Sequence, residues 1–138
     1  MNSLEILLRK IGRDLADKQV ARFWKVPEEM QQTPCDFFGY TKTGRAILIE
    51  AKKVNRPRLP IGTSPGLKIH QWNELCDANR ARAHGILIWQ RGKQFKLIYP
   101  DTITGKSLAC TDGNPWAIER LEEALACVLI PPAPLPPA

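Results

Sequence analysis

The chain has 138 residues, 43% hydrophobic and 25% charged, with a formal net charge of +6 and a pI near 9.4. That length suits one domain with a real core and is short for two. No apolar run of about 18 residues occurs, so no membrane-spanning helix is expected, and the basic balance points to a polyanionic partner.

The opening MNSLEILLRK lacks the layout of a secretory signal, because Glu5 interrupts it and no small-residue cleavage site follows. Leu4, Leu7, Leu8, Ile11 and Leu15 recur at three- and four-residue steps, which predicts a helix over 3–17 with Ser3 as N-cap. Residues 19–26 suit a first strand that Pro27 ends, and 28–32 are a polar connection. The cysteines (Cys35, Cys76, Cys110 and Cys127) are widely spaced and form no CxxC pair. With His70 and His84 as the only histidines, no zinc site is expected. Most thiols should be small buried apolar groups in a reducing, cytoplasmic setting.

The stretch from Pro34 to Lys53 reads as a β-hairpin. Phe37, Phe38 and Tyr40 fill one strand, Thr43-Gly44 signals the turn, and Ala46-Ile47-Leu48-Ile49 forms an apolar strand. Such a run suggests burial on both faces, inside a mixed sheet. It ends in Glu50-Ala51-Lys52, and period-two alternation puts Glu50 and Lys52 on one face, with Asp36 alongside at the start of the partner strand. Carboxylates and a lysine at buried strand ends are costly unless they pair or hold a cation. Carboxylate oxygens suit a hard cation such as magnesium, and a lysine there can stabilise a phosphorane. Lys42, Arg45, Lys52, Lys53, Arg56 and Arg58 fall within one short segment beside a single acid, Glu50. This density suits phosphate-backbone contacts next to the carboxylates.

Residues 54–66 hold three prolines and two glycines and are expected to be a loop, with Arg56 and Arg58 available to phosphates. A second helix is predicted over 67–84 with a partial apolar stripe (Leu67, Trp72, Leu75, Cys76, Asn79, Ala83) and Gly85 as its stop. Ile86-Leu87-Ile88-Trp89 and Phe95-Lys96-Leu97-Ile98-Tyr99, joined at Arg91-Gly92-Lys93, read as the hairpin that closes the sheet. Residues 101–113 suggest a loop. A third helix is predicted over 115–129, with Pro115 in its first turn and Ile118, Leu121, Leu125, Val128 and Leu129 on one face. The tail at 131–138 has five prolines in eight residues and should be extended.

Asp36 followed, after a strand turn, by Glu50-Ala51-Lys52 resembles the PD-(D/E)xK nuclease signature. Pro34-Cys35-Asp36 is a variant of its first half, with one residue inserted. L-K-I-H-Q-W-N-E-L at 67–75 resembles the segment that follows the ExK strand in RecU-type Holliday junction resolvases. The resemblance covers roughly residues 3–99, and phage-type resolvases share the layout. It departs from the family where Pro34 stands in place of a threonine two residues before Asp36, in the length of the 54–66 loop, and in lacking an identifiable stalk. It implies an α/β fold of the restriction-endonuclease-like kind, a central mixed β-sheet flanked by helices, with residues 1–130 as one nuclease domain before the tail.

The same resemblance implies a magnesium-dependent endonuclease, with manganese able to substitute, that acts as a homodimer on branched DNA, above all four-way junctions, in a bacterial or phage-infected cell. Asp36, Glu50 and Lys52 are the implied catalytic residues, and Gln71 is the helix glutamine implied to approach the metal. Glu5 is a candidate metal residue by position, though a first-turn glutamate also suits the helix dipole. Lys42, Arg45, Lys53, Arg56 and Arg58 are the candidate DNA contacts. His70 is expected to cap or pack. A nuclease of restriction or repair type and a non-cleaving nucleic-acid-binding module are the alternatives.

Overall fold

The computed structural model describes residues 3–27, 35–62, 66–100, 107–109 and 115–130. The polar connection at 28–32, Thr33, Pro34, Cys110 and the proline-rich tail lie outside them. Helix α1 spans Ser3–Asp17, as the leucine periodicity predicts, and buries Leu4, Leu8, Ile11 and Leu15. Strands β1 (Ala21–Lys25), β2 (Phe37–Thr41) and β3 (Ala46–Lys53) follow, then a short β4 (Arg58–Pro60). Helix α2 spans Ile69–Arg80 and leads into β5 (His84–Arg91) and β6 (Gln94–Ile98). Short strands β7 (Ser107–Ala109) and β8 (Trp116–Ala117), a 3-10 turn at Ile118–Arg120 and helix α3 (Leu121–Leu129) complete the described chain.

Among the described residues the main sheet has six strands in the order β1-β2-β3-β5-β6-β8. Every neighbour pair is antiparallel except β3 and β5, which run parallel and are joined by the crossover through α2. The fold is therefore α/β with a mixed sheet flanked by helices, as expected. β3 and β5 hold its centre, and β5 is buried from His84 to Gln90. One apolar cluster joins α1 and α3 to the sheet through Phe23, Phe37, Ile47, Ile49, Ile86, Ile88 and Phe95. A second, on the other face, gathers Leu59, Leu67, Leu75, Leu87 and Trp89 under α2 and β4. No helix of the described residues is long and apolar enough to cross a membrane.

Several boundaries differ from the sequence expectation. The 54–66 segment is not all loop: Leu59 is fully buried, and β4 pairs antiparallel with β7, which falls in the other expected loop. The second helix is shorter at both ends. Leu67 sits in a bridge with Ile61 ahead of it, and the chain turns after Arg80, with Arg82 at a φ of 67°. Gly85 is a strand residue, not a helix stop. Its Cα lies so close to α2 that an added Cβ would sit 2.3 Å from the Leu75 carbonyl oxygen. The Asn79 side chain both accepts from Gly85 N and donates to Gly85 O, at 2.7 and 2.9 Å, tying helix to strand. The sheet is extended past β6 by β8, so the third helix begins at Leu121 and Pro115 precedes the strand instead of opening the helix. Its buried face is Leu121, Leu125 and Leu129. Cys35 and Cys76 are buried as expected, whereas Cys127 is exposed.

Candidate active site

The antiparallel register pairs Phe37 with Ile49 and Phe38 with Leu48, which sets Asp36 beside Glu50 at the end of the β2–β3 ladder. The chain fixes Asp36 there twice. Its backbone N–H donates to the Ile49 carbonyl at 2.9 Å, and its Oδ2 accepts from Ala51 N–H at 2.9 Å. Glu50 is 1% exposed. Its Oε1 accepts from Gln71 Nε2 at 2.8 Å and lies 3.5 Å from Lys52 Nζ, while its Oε2 is buried without a hydrogen-bond partner. Burial, and then the neighbouring Asp36 carboxylate, push the Glu50 carboxyl up to about 8 against the pull of the Lys52 ammonium. Burial first, then Glu50 and Asp36, raise the Cys35 thiol to about 12, which leaves it protonated and inert.

Gln71 reaches Glu50 from the first turn of α2. Its Oε1 accepts from Lys68 N–H at 3.1 Å, so one side chain caps the helix and holds Glu50. Its oxygen thus meets the cap and its nitrogen meets Glu50, so Gln71 links α2 to the Glu50 carboxyl.

Glu5 does not join the two carboxylates. It faces Lys25, whose Nζ lies 3.9 Å from Glu5 Oε1 and 3.6 Å from Asp36 Oδ1. Among the described residues no group of three His, Cys, Asp or Glu side chains gathers as metal ligands would. Lys25 is the residue that sequence reasoning missed. Its ammonium is nearly buried, 5.8 Å from the centroid of the Phe37 ring, and it links α1 to the start of β2. No periodicity in the sequence marks it. Only the β1–β2 register, which pairs Lys25 with Phe37, brings it to Asp36.

The five expected DNA contacts are exposed but do not form one cluster. Lys42 and Arg45 stand at the hairpin turn, and Arg45 lies five residues before Glu50, roughly 16 Å along the strand. The Arg45 guanidinium donates to the carbonyls of Arg82 and Ala83, closing the α2–β5 connection. Lys53 points the other way from Lys52 and donates to Ser3 Oγ at 3.3 Å. Arg56 and Arg58 do leave β3 at the carboxylate end. Their segment is anchored by Trp89 Nε1 donating to Val54 O and by Gly92 N donating to Asn55 Oδ1. His70 is exposed on α2, and the cap is made by Gln71.

No protein-family model matches the chain, and no curated protein matches it. Among solved structures, it is similar to the 1.6 Å structure of Archaeoglobus fulgidus Hjc, a Holliday junction resolvase from an archaeal hyperthermophile. The identity is 15% and the TM-score 0.47, over 88% of this chain and 93% of that one.

Proposed function

We propose that the chain is a divalent-metal-dependent DNA endonuclease, with Asp36 and Glu50 as metal ligands and Lys52 as the charge partner of the reacting phosphate. The observation that carries this reading is the buried Glu50 carboxyl set directly beside Asp36, with no N–H donor on its Oε2. Ionised, such a carboxyl costs the fold unless a cation takes its free oxygen. Asp36 and Glu50 would hold a magnesium ion, a cation that protein sites usually bind through one or two carboxylates. Bound there, the ion supplies Lewis-acid stabilisation and an activated water. The rest belongs to the chain's own side chains. Ala51 N–H fixes the Asp36 carboxylate, and Gln71 fixes Glu50 Oε1, so both are preorganised. Lys52, on the face of Glu50 and about one-fifth exposed, can meet negative charge as it develops on a phosphate. Lys25 holds Asp36 from the α1 side.

On this reading the substrate is branched DNA, with four-way junctions preferred and a homodimer delivering paired cuts. Support comes from the excess of positive charge and from the absence of any helix-turn-helix or zinc motif that would read bases. The test is cleavage of labelled branched and linear DNAs with magnesium, with manganese and with chelator, for the wild type and for Asp36→Asn. Cutting by the wild type that needs the divalent ion and is lost in Asp36→Asn, with DNA binding retained, is expected. Robust cutting by Asp36→Asn would remove the site assignment.

A further inference from the structure

The sheet face that carries Asp36 and Glu50 continues along β1 and β2 into a patch that no helix of the described residues covers. Alternation places Phe38 and Tyr40 of β2 on that face, and the register sets Trp24 opposite Phe38 and Arg22 opposite Tyr40 on the edge strand β1. All four are exposed; the three aromatic residues keep 49% (Trp24), 40% (Phe38) and 45% (Tyr40) of their surface in solvent. Trp24 meets the other two edge to face, with centroids 6.1 and 6.2 Å away and interplanar angles of 74° and 76°. Rings held at those angles do not stack on one another, so their capacity for parallel stacking is unspent.

The surroundings are basic. Lys42 follows Tyr40 at the turn, and Arg22, Tyr40 and Lys42 together line an open hollow of about 500 Å³ beside β1. A neighbouring hollow along α1 brings Arg13 beside Arg22 and Trp24, with Asp17 as the one acid lining it.

We propose that this face is a stacking surface for the unpaired bases of a single nucleic-acid strand, with Arg22 and Lys42 on its phosphates. Two arguments select that occupant. Aromatic rings interleaved with cations match alternating bases and phosphates, the combination that binds single strands without reading sequence. A second copy of the chain fits less well. Rings that bury about 150–250 Å² each when fully covered offer roughly 300 Å² here at their observed exposure, against about 800 Å² per partner in a stable interface. The patch also lies on the strands that carry the carboxylates: Phe38 is two residues from Asp36, or about 7 Å along β2. An unpaired strand held on it would therefore enter or leave the site on β2 and β3. The stacking itself does not depend on the nuclease reading.

The experiment is fluorescence anisotropy of a labelled oligo(dT) with the full chain in chelator, where no cutting occurs, beside a duplex of equal length. The wild type should bind the single strand at low salt. Trp24→Leu with Tyr40→Leu, which keeps apolar strand residues but removes the π faces, should weaken that binding by about tenfold or more while leaving duplex binding much less affected. Trp24→Phe should restore part of the loss. Arg22→Ala should lower the salt slope by about 0.7. Circular dichroism and a thermal melt confirm that the variants fold. Absence of oligo(dT) binding by the wild type, or equal binding by the double variant, overturns the proposal. So does a dimer in sedimentation that Trp24→Leu dissociates while oligo(dT) affinity stays unchanged, since the face would then belong to a second copy. Magnesium-dependent cleavage of branched DNA, assayed separately, tells failure of this surface from failure of the nuclease site.

Discussion

A carboxylate that is 1% exposed, with one oxygen lacking a hydrogen-bond donor, works against the fold. Glu50 has an unfolded value of 4.5 and a folded value raised to about 8. Below 4.5 it is neutral in both states and costs nothing. As pH rises from 4.5 towards 8 the unfolded chain ionises first, so folding loses stability, by about 3 kcal/mol at pH 7. Glu50→Gln removes that loss, since a glutamine can still accept from Gln71 through its own oxygen. We expect the variant to be inactive, to melt higher than the wild type in chelator at pH 7–8, and to gain nothing at pH 4; a lower melting temperature at neutral pH would refute this. His84 acts with the opposite sign. Burial, and then Arg45, lower it from 6.5 to about 4, and its Nδ1 lies 2.9 Å from Tyr99 Oη. Its stabilisation is complete above 6.5 and is lost as pH falls towards 4, on the order of 2 kcal/mol across that window. Replacing His84 with Gln should flatten the acid limb of a stability–pH curve measured by urea unfolding, and an unaltered limb would assign acid sensitivity elsewhere. Lys52→Ala addresses chemistry instead of folding: the cleavage rate should fall about 10²–10³-fold, as for loss of one preorganised charge donor, with the melt nearly unchanged. Wild-type cutting by that variant would leave Lys52 as a mere ion-pair partner of Glu50.

Helix α2 and strand β5 are where element packing reaches the site. Gln71 and Leu75 lie one turn apart on α2, so whatever displaces Leu75 displaces the amide that holds Glu50. Gly85→Ala would drive a methyl against the Leu75 carbonyl. The expected result is a destabilisation of about 1–3 kcal/mol by denaturant titration, together with slower cleavage; unchanged stability and rate would mean that α2 yields without moving Gln71. Gly85 also shows the limit of reading elements from sequence. Ala81-Arg82-Ala83 prolongs a helical pattern, and only the packing of helix on strand, with Asn79 bonded to both sides of Gly85, reveals why the helix stops earlier. By contrast α1, the β2–β3 hairpin and the shared face of Glu50 and Lys52 were legible, because each follows from a local period or turn signal. Gln71 was placed by resemblance, and the structure sets it against Glu50 from the first turn of α2. Lys25, β4 with β7, and β8 were not legible, since two- and three-residue strands and a lysine at a strand end owe their places to partners far away in sequence.

At the scale of the whole molecule the sheet separates two kinds of positive charge. Arg56 and Arg58 leave β3 at the carboxylate end, whereas Lys42 and Arg45 stand at the opposite, hairpin-turn end of the same strand. Among the described residues, these four cations therefore do not form the single cluster that the sequence spacing suggests, but stand at two ends roughly 15–20 Å apart along the strand direction. The proposed metal site would make one cut per chain, and resolving a junction would take two matched cuts, so a twofold dimer would be the economical arrangement. On the proposed reading, the protein should sediment as a dimer and bind a four-way junction far more tightly than a duplex of the same sequence at moderate salt. With magnesium it should nick two opposing strands in close succession. Arg56→Ala with Arg58→Ala should lower both the affinity for the junction and the slope of its salt dependence, by about one counterion for each lost phosphate contact. Competition binding with junction and duplex, alongside sedimentation at working concentration, decides the matter. Equal affinity for the two DNAs, or a monomer that cuts at full rate, would defeat the junction reading while leaving the metal-dependent nuclease intact.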